Sequence, residues 1–215
     1  MSTSPDRRLS RARRLALGLL LLALPACGLS DYEALMQKTQ ENAERFRDEQ
    51  KYLDAPVTIP TEKDKDDNEV RLANVFFRPP KGISTNPEPQ PRNGLMWRYL
   101  SRKSEFALVE MAFGEGDKEF ADKVMSCYPG LSYISAPERQ PPLPFDSWDY
   151  NDSQFGYSIN IYKGGAKKIA VVYIFRKEKR DALRKAIDLS LQTLTEKESA
   201  ARQRYNQKSP WKLVK

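Results

Sequence analysis

The sequence predicts an α+β domain built on an antiparallel hairpin and a helix that closes over it. Three observations carry this. Residues 155–162 and 169–175 are rich in β-branched and aromatic side chains, and they flank Lys163-Gly164-Gly165-Ala166-Lys167-Lys168, a glycine-centred turn. The second of these runs, IAVVYIF, has no polar residue, which places it centrally in a sheet with both faces covered. Residues 177–195 then repeat Leu183, Ile187, Leu191 and Leu194 at helical spacing, with Ala186 and Ser190 between them.

The other elements follow in chain order. Residues 31–53 read as a helix. Ser30 or Asp31 suits its N-cap, and Ser30 with Glu33 has capping-box spacing. Tyr32, Met36, Thr39, Ala43, Phe46, Gln50 and Leu53 form a thin stripe, expected of a charged spacer helix more than of a coiled-coil stalk. Residues 54–69, with Pro56, Pro60 and a run of acids, read as a polar linker. The globular domain is expected over 70–195. Its first strand is 70–78, stopped by Pro79-Pro80; 81–93 is a loop; 96–100 and 106–113 are further extended segments. Asp117 caps a short helix to Tyr128, with Phe120, Val124 and Cys127 or Tyr128 on one face. Residues 136–147, containing the PPLP run, read as a proline-rich loop, and 196–215 as a basic tail.

The start of the chain sets its address. Arg7, Arg8, Arg11, Arg13 and Arg14 precede the uncharged run LALGLLLLAL, and small residues and a cysteine follow. That is the order of a secretory signal. Ten apolar residues rise roughly 15 Å as a helix, about half a hydrocarbon core, so the run is too short to span a membrane. Leu24-Pro25-Ala26-Cys27 resembles the bacterial lipobox, with Leu24 and Ala26 in the expected places and Pro25 a departure from the usual pattern. The resemblance implies cleavage after residue 26, a thioether-linked diacylglycerol on Cys27 and often a further acyl chain, such as palmitate, on its amine. A thiolate is the side-chain nucleophile suited to that transfer. Each buried methylene contributes about 0.8 kcal/mol, so two or more chains hold a protein stably. Gly28, where an inner-membrane lipoprotein usually carries aspartate, implies the outer membrane, periplasmic face, in a Gram-negative cell.

Charge and composition exclude several classes. The chain of 215 residues has formal charge +7, but residues 1–26 hold five arginines against one aspartate, so the remainder is +3. A basic leader is not a basic groove, and no nucleic-acid partner is expected. With no histidine, His-based triads, the usual zinc sites and His-ligated haem are excluded. If Cys27 carries lipid, Cys127 has no partner for an internal disulfide, and it is expected as a small buried hydrophobe. No metal or cofactor is expected. Asp64, Asp66 and Asn68 begin like a calcium loop, but Glu69 and Val75 stand where its glycine and final glutamate belong. Gly114-Glu115-Gly116 begins like a phosphate loop and fails at Glu119. Ser209 and Lys212 have the S-x-x-K spacing without a helix start or cleft. Asp146, Asp149 and Asp152 beside Trp148 are the remaining candidates for a carboxylate site, one formed only if folding joins them in a pocket.

The strand running into Phe77-Arg78-Pro79-Pro80-Lys81-Gly82, the meander with a short helix, and the last hairpin feeding a long helix together resemble the PsbP-like fold. That resemblance covers about residues 70–194. It implies an antiparallel sheet with helices packed on both faces, an α/β/α sandwich, and a binding or assembly role. The expected function is therefore a membrane-anchored envelope lipoprotein with a non-catalytic binding domain, reaching an envelope protein or an anionic surface partner. The alternatives are an envelope hydrolase with a carboxylate site formed on folding, and a structural subunit of an envelope complex.

Overall fold

The computed structural model describes residues 26–63, 65–89, 95–102, 105–115, 118–139, 142–164, 167–197, 202 and 205. The leader with Leu24 and Pro25, the side chain of Cys27, Asp64, Gly116, the Asp117 cap, the Ser209/Lys212 pair and most of the 196–215 tail lie outside the described residues. The chain divides into two compact units, 1–48 and 49–215.

Helix α1 covers Ala26–Tyr52. It begins before Ser30 and Asp31, so neither caps it. Tyr32, Leu35 and Met36 are 62, 62 and 53% exposed, while Ala43 and Phe46 are half-buried. Within its exposed part, Gln37 donates to Glu41 and Gln40 to Glu44 one turn on, the spacing at which helix side chains meet.

The second unit holds a seven-stranded antiparallel sheet in the order β3-β4-β5-β9-β8-β7-β6. Its strands are β3 (Glu88–Pro89), β4 (Met96–Leu100), β5 (Phe106–Gly114), β6 (Ser132–Ser135), β7 (Phe145–Asn151), β8 (Phe155–Tyr162) and β9 (Lys168–Arg176). A small separate hairpin pairs β1 (Thr61–Lys63) with β2 (Glu69–Arg71). Helix α2 (Lys118–Ser126) follows β5, and α3 (Arg180–Thr193) follows β9 after a 3-10 turn at Lys177–Lys179.

Strand β9 lies fourth of seven, which explains its unbroken apolar run. Ile169, Val171, Tyr173 and Phe175 pack with Leu183, Ala186, Ile187 and Leu191 of α3. Ala170, Val172 and Ile174 pack with Phe120 and Val124 of α2. Successive residues face opposite sides of a strand, so both faces of the sheet carry a core. Full burial of one such aliphatic side chain contributes about 1.5–3 kcal/mol.

Three sequence expectations change. Residues 70–78 do not form a long first strand of the sheet. Val70 is half exposed in β2, whereas Val75, Phe76 and Phe77 are buried in an extended segment with one isolated bridge, Phe76 to Thr195. Residues 54–69 are not wholly a linker, because Val57 and Ile59 join the core and Val57 N–H donates to Phe77 O at 2.9 Å. The span 136–147 is not all loop, since β7 begins at Phe145.

Candidate functional site

The site lies where β6 leaves β7. Strand β6 pairs Ser132 with Asn151, Tyr133 with Tyr150 and, after a bulge, Ser135 with Asp149. Continuing that ladder would bring Pro137 opposite Ser147. Proline has no N–H to donate, and the chain lifts away there. It returns through Pro142, Leu143 and Pro144 into β7. Between the departing segment and the edge of β7 is a cleft of about 720 Å³, whose lining includes Pro137, Arg139, Leu143, Phe145, Ser147 and Trp148.

Arg139 anchors the departing segment. Its side chain is only 6% exposed. Nε donates to Ser147 Oγ at 3.3 Å, Nη2 to Asn160 Oδ1 at 2.8 Å and Ser158 Oγ at 3.5 Å, and Nη1 to Asp188 of α3. Burial lowers its pKa from the ordinary guanidinium value, with Tyr173 and Asp149 opposing that shift; arginine stays charged under such a load. Ser158 and Asn160 are fully buried on the α3 face of β8, and Asn160 Nδ2 also donates to Val171 O at 3.2 Å. The polar sheet face exists because a guanidinium covers it, as burial of such groups requires.

The three aspartates do not meet. Asp146 shares a side of β7 with Trp148, and Asp149 shares the opposite side with Phe145. Asp146 pairs with Lys163 at 2.7 Å. Asp149 is buried, 3.4 Å from Arg180 Nη1. Arg180 Nη2 also donates to Tyr150 O at 3.1 Å and to Asn151 Oδ1. A void of about 10 Å³ adjoins Arg139, Asp149, Ser158 and Arg180, room for one water at most. Asp152 accepts from Gln154 N–H at 2.7 Å, Phe155 N–H at 2.6 Å and Tyr157 Oη at 2.6 Å. The Phe155 N–H and then the Tyr157 hydroxyl hold its pKa below the usual carboxylate value. Asp146 and Trp148 line the cleft, whereas Asp149 lines the small void and Asp152 lines neither.

Two buried groups escaped the sequence reading. Arg139 was hidden among prolines. Glu110, 1% exposed in β5, takes Arg98 Nε at 2.8 Å and the Tyr128 hydroxyl. Burial, then Glu110, raises the Tyr128 pKa, so this phenol stays protonated. A lone acid in FALVEMAFG was the available signal, because an acid is rarely buried without a partner. Cys127 is half-buried rather than fully buried, and its Sγ lies 3.3 Å from Lys123 O.

No family model matches the chain, and no curated protein does. Among the described residues, no group of three or more Cys, Asp or Glu is placed to hold a metal ion, and no helix is long and apolar enough to cross a membrane.

Proposed function

We propose that the protein is a lipid-anchored envelope lipoprotein whose second unit is a non-catalytic binding domain. Leu24, Ala26 and Cys27 after a basic and apolar leader support the anchor. The cleft that residues 136–139 and 142–143 form against β7 is the observation that carries the binding role. Its lining mixes apolar Pro137, Leu143, Phe145 and Trp148 with charged and polar Glu138, Arg139, Asp146 and Ser147, so it offers both apolar contact and hydrogen bonding to a partner. Helices against both faces of an antiparallel sheet support the PsbP-like α/β/α reading. Fold alone names no ligand. The carboxylate-site hydrolase would need two of Asp146, Asp149 and Asp152 side by side, and each serves a separate local contact.

The test of the anchor is intact mass of membrane-extracted protein beside a Cys27→Ser variant. Loss of the leader plus acyl mass in the wild type alone is expected. An unacylated, soluble wild type overturns the reading.

A second reading, a subunit of an envelope complex, draws on exposed Tyr32, Leu35 and Met36 of α1. Light scattering should then show a concentration-dependent dimer that disappears when Tyr32, Leu35 and Met36 are replaced by serine, since 49–53 is needed by the fold itself.

A further inference from the structure

We propose that the ligand of the cleft is an extended peptide that adds to the free half of the β7 edge and carries a basic side chain beside an apolar one. This rests on the binding-domain reading and specifies its partner.

The backbone geometry carries the inference. Along a strand, the N–H and C=O of successive residues point to opposite sides. Pro144 C=O accepts from Lys163 N–H at 2.8 Å, and Asp152 N–H donates to Phe155 O at 3.0 Å. Even-numbered positions of β7 therefore bond towards β8, and odd positions point away from it. Of the odd positions, Asp149 and Asn151 face β6. Phe145 N–H is taken by Leu143 O at 2.8 Å. Among the described residues, no backbone partner reaches Phe145 C=O, Ser147 N–H or Ser147 C=O. Phe145 and Ser147 both line the cleft. An extended chain opposite Ser147 would resume the antiparallel ladder that Pro137 interrupts, which is strand addition to a sheet edge.

The opposite edge of the sheet is built differently. Strand β3 is two residues long, follows Pro87 and contains Pro89, a blunted edge of the kind that resists pairing. The side chains at the open edge choose the peptide. Trp148 offers an aromatic face on one side, and Leu143 with Phe145 offers apolar contact on the other. Asp146 is paired with Lys163 and Arg139 with Asp188, and Arg184 donates to the Glu138 backbone carbonyl at 3.4 Å, which leaves the Glu138 carboxylate as the rim charge beside the Trp148 ring. That balance favours a cationic side chain over Trp148.

The probe is a labelled hexapeptide of alternating lysine and valine, with a twin N-methylated at every amide. It is titrated into the full chain in detergent by anisotropy, with amide exchange read at Ser147. The unmodified peptide should bind wild type and Ser147→Ala alike and slow exchange of the Ser147 amide. The methylated twin and Ser147→Pro should each bind at least about tenfold more weakly, a ladder hydrogen bond and its neighbours being lost. Proline at 147 removes the outward N–H and, like alanine, the hydroxyl that Arg139 contacts, but no N–H that bonds towards β8. If that variant fails to fold, the methylated twin and the wild-type exchange decide. Equal binding of the two peptides, or no protection at Ser147, overturns strand addition. A dimer that Ser147→Pro abolishes would give the edge to a second copy and also overturn it. Intact mass on the same samples keeps the two readings apart. An acylated chain that ignores the peptide loses only this inference, and an unacylated chain that binds it loses only the anchor.

Discussion

Glu110 shows how one residue joins two elements across a buried face. Its two oxygens are bonded to Arg98 of β4 and to Tyr128, just beyond α2. Arg98 is 35% exposed on its side chain and turns to water if the acid is lost. Tyr128 does not have that option. Glu110→Ala should therefore cost about 2–4 kcal/mol and Tyr128→Phe about 1–2 kcal/mol, by urea unfolding. Asp152 gives the pH signature. Its folded pKa is lowered from 3.8 by the Phe155 N–H and the Tyr157 hydroxyl. A lowered carboxylate pKa contributes stability above the unfolded value, and that stability is lost as pH falls through the folded value. The wild type should thus exceed Asp152→Asn by less than about 1 kcal/mol at neutral pH, the site being exposed. The gap should close as unfolding is repeated at pH values below 3.8. A gap that widens on acidification would contradict the assigned cause.

Elements with strong patterns were legible, and those made of polar residues were not. The extended segments at 96–100, 106–113, 155–162 and 169–175 match β4, β5, β8 and β9 to within a residue. Each is apolar enough to be read from side chains alone. Strand β6, Ser-Tyr-Ile-Ser, is exposed throughout, and β7, FDSWDYN, buries Asp149 beside Arg180 and sets half-buried Ser147 against Arg139. Tertiary contacts hold these strands, not periodicity, so local sequence gave no sign of them. Residues 70–78 misled for the opposite reason. Phe76 and Phe77 are strand-like because they are buried, yet they pack without a ladder partner beyond one bridge. Close approach within elements is equally invisible locally. At Gly156 in β8, a Cβ would stand 2.6 Å from the ring of buried Phe175. Gly156→Ala should destabilise by about 1–3 kcal/mol, because the core ring must move. Thermal unfolding checks this, and pairing it with Phe175→Leu should recover part of the loss.

At the scale of the whole second unit, Arg78 ties the start of the unit to its end. The side chain is 3% exposed. Nε donates to Asp54 O at 2.9 Å and Nη1 to Glu49 at 3.1 Å, so a cation sits against the last turn of α1, where the helix dipole favours it. Its backbone reaches the other way. Arg78 N–H donates to Thr193 Oγ1 at 2.9 Å, and Ser190 Oγ donates to Arg78 O at 2.6 Å, both in α3. Burial lowers the guanidinium pKa while Glu49 opposes the shift. Arg78→Met keeps the stem and the backbone bonds but leaves the Asp54 carbonyl without this donor. Glu49, 22% exposed, turns to water. The expected loss is about 2–3 kcal/mol, and it should be uneven in space. The amides that close the junction are Lys81 to Tyr52 O, Val57 to Phe77 O and Gly82 to Asp54 Oδ2. They should exchange about tenfold faster or more, because local opening there no longer breaks the arginine contacts. Amides of the β8–β9 ladder, which opens only with the whole unit, should speed up with them, whereas those of α2, on the other face of the sheet, open locally without breaking the Arg78 contacts and should keep the wild-type rate. If the α2 amides accelerate as much as the junction amides, the local tie between α1 and α3 is disproved.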